Sequence, residues 1–161
     1  MKRIFLLSVL LATSALASAS SAVKESDLPD LFRREPPYIQ NRVCAELLAS
    51  MSRMSADLYS ATRKQALYDA AVMSGTRSMV FVKANAQLNN QERLRAKRIA
   101  GQIESSASPN SPVIVPYTYC EERFQRWVHE GVVTPKIVLE TEREVRSALA
   151  TVVVPDIKTL K

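Results

Sequence analysis

Between Cys44 and Val72 the chain places Cys44, Leu47, Met51, Met54, Leu58, Ala61, Gln65, Tyr68 and Val72 at alternating steps of three and four. That spacing lines one face of a long amphipathic helix and is incompatible with the two-residue period of a strand. Leu48 widens the stripe, whereas Arg53, Asp57 and Lys64 lie off it. The same phase runs on through Gly75, Met79, Val82 and Ala86, which leaves two readings. In one, Gly75 ends the helix as a C-terminal cap; in the other it sits on the packed face of a helix from about 38 to 87.

Two cysteines, Cys44 and Cys120, bear on that choice. In an oxidising compartment an isolated pair forms one bridge, and closing so long a loop stabilises by roughly 4 kcal/mol in the chain-entropy model. A straight helix from Cys44 to Leu88 rises about 66 Å, and a following helix over 90–105 returns roughly 24 Å. A fully stretched 106–117 linker adds up to about 40 Å, so the ring barely closes. A bend or break near Gly75 relieves the demand and is the favoured expectation.

Later segments also read as helices. Asn89-Asn90 before Gln91 and Glu92 marks a turn and a helix start. Thr118-Tyr119-Cys120-Glu121 has the form of a capping box, after which Cys120, Phe124 and Trp127 share a face and Gly131 ends the segment. Thr134-Pro135 opens a last helix whose face is Val138, Thr141, Val145, Ala148 and Val152. Val113-Ile114-Val115, between Pro112 and Pro116, is expected to be extended, with Val152-Val153-Val154 as its mate. Three glycines in 161 residues fit a mostly helical chain and argue against a glycine-rich phosphate loop. The expected fold class is all-α: a small bundle of four or five helices over 38–161, pinned by Cys44–Cys120.

The N-terminal residues give an address. Lys2 and Arg3 precede an apolar run from Ile4 to Leu16, and Ala15-Leu16-Ala17 has the A-x-A form of a signal-peptidase site. Residues 1–17 therefore read as a secretory signal peptide, too short and wrongly flanked for a lasting span. Cleavage between Ala17 and Ser18 places the protein in the periplasm or outside the cell and lowers the formal charge from +6 to +4. Residues 18–37 carry Pro29, Pro36 and Pro37 without an apolar period, and are expected to be a flexible leader.

A mildly basic exported chain does not imply nucleic acid. One histidine and no C-x-x-C spacing rule out four soft ligands from Cys and His, so no metal or cofactor is expected. His129 lacks a marked nucleophile or orienting acid, and near a helix C-terminus its expected role is structural or on the surface. Met51 and Met54 with His129 could ligate a haem in a bundle, although methionines at core spacing more often fill gaps. Glu121 and Glu122 are adjacent on a helix and point apart; Ser74-Gly75 lacks a nucleophile-elbow context. Glu122 with Arg126 and Glu142 with Arg146 have the spacing of ordinary surface pairs.

The cluster Arg93 to Arg98 has more content. Arg93 and Lys97 share a side, and Arg98 extends it around the helix. Docking on an acidic partner or on anionic lipid is one reading, but the bulky aromatic or Leu residues that a surface-inserting helix wants opposite the charges are missing, so a solvated face is the default. By elimination, the expected activity is protein–protein binding by an adaptor, inhibitor or chaperone, with another envelope protein as partner. A carrier of an apolar ligand or haem comes second, and an enzyme with an unmarked site third.

Overall fold

The structure, a computed structural model, describes residues 24–106 and 114–153. Among them the chain forms a 3-10 turn, Glu25–Asp27, and six helices: α1 (Asp30–Arg33), α2 (Pro37–Thr62), α3 (Gln65–Ala84), α4 (Asn90–Ser105), α5 (Ile114–His129) and α6 (Pro135–Val153). Five are long and α1 is a single turn, so the all-α expectation holds. The expected signal peptide over residues 1–17 and its expected cleavage site, residues 18–23, Val113 and Val154 lie outside the described residues.

α2 is the centre of the bundle. It packs along α3 on one side and against α4 and α5 on others, while α6 lies along α3. The main core gathers Ile39, Val43, Leu47 and Leu48 of α2, Phe81 of α3, Ile99 and Ile103 of α4, and Phe124 of α5. Cys44 and Cys120, both fully buried, are bridged across α2 and α5 with Cα atoms 5.3 Å apart.

The first helix does not run where the stripe suggested. The chain turns at Arg63-Lys64, with Arg63 at φ 56°, in the left-handed region. The Arg63 N–H donates to the Tyr59 carbonyl at 2.7 Å and caps α2 without a glycine. α2 and α3 thus form an antiparallel hairpin, and α3 returns the chain by about 30 Å without a stretched linker. Both readings at Gly75 fail in part: α3 continues through it, and no single helix spans 38–87. Gly75 does sit on a packed face, where a Cβ would lie 2.8 Å from Val145 Cγ1 and 2.9 Å from Ser52 Oγ.

The α2–α3 seam explains why apolar spacing misplaced the second half of α2. Met54 is 58% exposed and Leu58 47%, whereas Ser52, Ser55 and Ala56 are buried. Ser52 Oγ donates to the Ala71 carbonyl and Ser78 Oγ to the Ala45 carbonyl, both at 2.7 Å. Small side chains let the helix backbones approach, and each hydroxyl spends its donor on a carbonyl across the seam. A buried polar group is tolerable once so bonded.

From Lys24 onward the expected leader is part of the domain, so the boundary drawn at 37–38 moves toward the N-terminus. Leu28 and Phe32 are buried, and the Phe32 ring meets Tyr119 edge-on at 5.4 Å between centroids. Two buried apolar residues four apart, on either side of Pro29, are too few to show a period. Gln40 Nε2 donates to the Glu35 carbonyl at 3.0 Å, and the Glu35 carboxylate accepts from Arg95 at 2.9 Å. These contacts tie the segment to α2 and α4.

Helix starts are a mixed outcome. Asn89 and Glu92 form the reciprocal capping box of α4: the Glu92 N–H donates to Asn89 Oδ1 and the Asn89 N–H to the Glu92 carboxylate. Thr134 Oγ1 accepts from the Ile137 N–H at 3.4 Å, with Pro135 the first residue of α6. Thr118, in contrast, lies inside α5, so it is no N-cap, and Glu121 pairs with Arg77. The expected strand pair is also overturned, since residues 114–115 are in α5 and 152–153 in α6. Pro116 is the third residue of α5, where a backbone N–H has no intrahelical acceptor and its loss costs nothing. On α6 the buried face takes in Thr141, Val145 and half-buried Leu149, leaving Ala148 exposed.

Candidate functional site

α3 and α6 run antiparallel, and the end of α5 stands beside them. Along one face of α3, Val72, Met73, Thr76 and Arg77 line a hollow of about 210 Å³ closed by Phe124, Val138 and Glu142. Further along that face, Val80 and Ala84 line a second hollow of about 340 Å³ with Trp127, Val132, Val133 and Ile137. The α5–α6 connection shapes the second: Gly131, at φ 73°, reverses the chain, and the Val133 N–H donates to the Trp127 carbonyl at 3.1 Å. Val133 is thereby buried while Val132 is 56% exposed.

The two hollows differ chemically. In the first, Arg77 pairs with Glu121 and lies over the Phe124 ring at 5.5 Å. Arg146 pairs with Glu142 at 2.7 Å, as its spacing foretold, and lies 5.8 Å from the Tyr68 ring. Bonding to Glu142 raises the Arg146 pKa, so its charge is fixed. The first hollow is walled by neutralised pairs. The second is mostly apolar, and its rim charges are also paired, Lys83 with Glu144 at 2.9 Å and Lys136 with Glu140 at 3.9 Å.

The cationic cluster lies elsewhere, on the outer side of α4. Ala96, Ile99, Ala100 and Ile103 turn inward, and Arg93, Leu94, Lys97 and Arg98 are exposed. Arg93 donates to the Ala86 carbonyl at 3.0 Å, and Arg95 is committed to Glu35. At the far end of α4, the Tyr117 hydroxyl donates to Glu104 at 3.2 Å. Burial, then the Glu104 charge, pushes the Tyr117 pKa well above the ordinary tyrosine value.

Other candidates are not brought together. His129 is exposed as the last residue of α5, Met54 is exposed on α2 and Met51 half-buried. Ser74 is buried on α3, without an apposed histidine. No group of three or more His, Cys, Asp or Glu side chains able to hold a metal occurs among the described residues. The hollows themselves were missed by sequence reasoning. The spacing puts Phe124 and Trp127 on one face, but the side walls come from α3 and α6, and the apolar stripe runs the start of α3 together with α2. None of the described helices is long and apolar enough to cross a membrane. No protein-family model matches the chain, and no curated protein or solved structure does.

Proposed function

We propose that this is an exported helical protein that acts by binding another envelope protein at the α5–α6 corner. One observation carries the reading: exposed Val132 and Ile137 flank an apolar hollow floored by Trp127 and Val80. Apolar surface around an aromatic anchor is the usual make-up of a protein contact. Because the rim charges are already paired, an apolar, uncharged segment of the partner suits the hollow. An adaptor, an inhibitor and a chaperone would each use such a corner. Export is supported by the three-part leader in residues 1–17 and, weakly, by the disulfide.

Val132→Glu and Ile137→Glu are the test, because both positions are exposed and neither change disturbs the core. Wild type should retain a stoichiometric partner from a cell-envelope extract. Each variant should lose at least tenfold in affinity with an unchanged melting temperature. A partner held equally well by both variants would refute the assignment. The second reading, a carrier of a small apolar ligand, is favoured by the hollow's volume, which lies at the lower end for ligand sites. Under that reading, lipid or a coloured ligand co-purifies and quenches Trp127 fluorescence, and no protein partner is retained.

A further inference from the structure

The outer face of α4 has a cross-section unlike those of the other helices. Leu94 is 63% exposed, the highest among the large apolar side chains of the described residues. Lys97 and Arg98, three and four residues on, flank it one turn away, and Arg93 stands at the edge. Another turn along, Gly101 has nothing within 4 Å of a built Cβ, so the crest stays open. The two carboxylates of α4 are drawn off this face: Glu92 accepts from the Asn89 N–H in the cap, and Glu104 accepts from Tyr117. Among the described residues, Arg95 is the one α4 cation held in an ion pair, with Glu35. On α6, by contrast, Lys136, Glu140, Glu142 and Arg146 are interleaved and paired along the helix.

We infer that the α4 crest, Arg93-Leu94-Lys97-Arg98, docks on an anionic lipid surface. A ridge with a leucine at its summit and cations along its sides offers a protein partner no concave anchor site. A plane of negative headgroups over hydrocarbon meets both features. Leu94 enters the headgroup–acyl boundary, while Lys97 and Arg98 lie along its sides and keep their charges among the phosphates. The contact is peripheral and salt-sensitive, because one leucine and three cations supply it. Each cation contributes roughly fivefold to partitioning at low salt. The inference does not rest on the α5–α6 corner, which lies on other helices and can fail or stand independently.

The test uses residues 18–161, which include every described element and leave out the apolar leader. Co-sedimentation is measured with neutral phosphatidylcholine vesicles and with vesicles containing about 30% phosphatidylglycerol, at about 50 and about 500 mM salt. Binding should appear on the anionic vesicles alone and fall at least tenfold at the higher salt. Lys97→Ser with Arg98→Ser should lose roughly twentyfold, and Leu94→Ser several-fold, at unchanged melting temperature. The double variant spares Arg93, whose contact with Ala86 supports the α3–α4 turn. Arg126→Ser with Arg143→Ser removes equal charge from other helices and should keep most of the binding. Equal binding to neutral vesicles, or equal losses from the two double variants, would overturn the inference. So would a Leu94-independent affinity for polyglutamate without vesicle binding, which would point to an acidic protein instead.

Discussion

Two seams of this molecule fasten helices in opposite ways. Where α2 meets α4 and α5, bulky side chains interdigitate: Ile39, Leu47 and Leu48 against Ile99, Ile103 and Phe124, with Cys44–Cys120 as a covalent pin. Where α2 meets α3, the buried positions are Ser52, Ser55, Ala56, Ala71, Ser74 and Ser78. The first seam is held by apolar area withdrawn from water; the second gains from close approach and hydroxyl–carbonyl bonds. They should therefore fail differently. The first tolerates changes of shape that conserve volume but not loss of its pin, and the second tolerates little added volume.

The largest expected effect is on the pinned seam. Reduction, or Cys44→Ala with Cys120→Ala, should lower unfolding free energy by about 2–5 kcal/mol, the usual range for a small disulfide-bonded domain. Urea titration with and without reductant measures it. Both thiols should resist labelling in the denatured, unreduced chain; free thiols there would remove the pin from the comparison.

The second seam should break by filling. Gly75→Ala puts a methyl against Val145 and Ser52 at separations that real Cβ atoms do not show. The expected cost is about 1–3 kcal/mol from overpacking, reduced by the better helix propensity of alanine. Val145→Ala in the same chain should recover part of the loss, because the nearer of the two contacts disappears. Gly101→Ala is the matched control: it is also inside a helix, but open space surrounds it. It should stabilise by about 0.5–1 kcal/mol. If both glycine changes act alike, the α2–α3–α6 contact is looser than described.

The same contrast explains what sequence alone could reveal. The pinned seam was legible in part, because Cys44, Leu47 and Leu48 fall on the apolar stripe and a cysteine pair limits how the helices close. The small-residue seam was not. Ser52, Ser55 and Ser78 look like solvent-facing positions until a second backbone stands near enough to accept their protons. Met54 and Leu58, which carry the apolar signal, face outward. The turn at Arg63-Lys64 was hidden for a related reason. It lacks glycine and proline, and two residues of irregular chain scarcely disturb the three-and-four count. The cationic residues of α4 were legible, but the exposed Leu94 beside them was not recognised as part of that face. The apolar corner needed α3 and α6 to be placed side by side, which no local pattern encodes.

Removing one hydroxyl at a time sharpens the comparison further. Ser52→Ala and Ser78→Ala each delete a 2.7 Å bond to a carbonyl of the opposite helix. Each should cost roughly 1 kcal/mol, since those carbonyls keep their intrahelical donors and only the added bond is lost. The two sites use different carbonyls, of Ala71 and Ala45, so the double variant should be close to additive. Strong non-additivity in a thermal or urea series would mean that the seam shifts as a unit.

The smallest effect belongs to the pinned side and is confined to alkaline pH. Tyr117 stays protonated in the folded chain above the pH at which an unfolded tyrosine ionises, because burial and the Glu104 carboxylate both oppose a phenolate. With the folded pKa above the unfolded one, the protonated tyrosine's contribution is fully present below about pH 10. It is lost as pH rises, because the unfolded state releases a proton that the folded state keeps. Tyr117→Phe removes the donor to Glu104 and should slightly destabilise the protein at neutral pH. Its stability should then decline less steeply than that of wild type above about pH 10. The two curves should converge there. Parallel curves up to pH 11, measured by urea titration at each pH, would show that Tyr117 ionises as freely folded as unfolded, and that its hydroxyl leaves Glu104 to solvent.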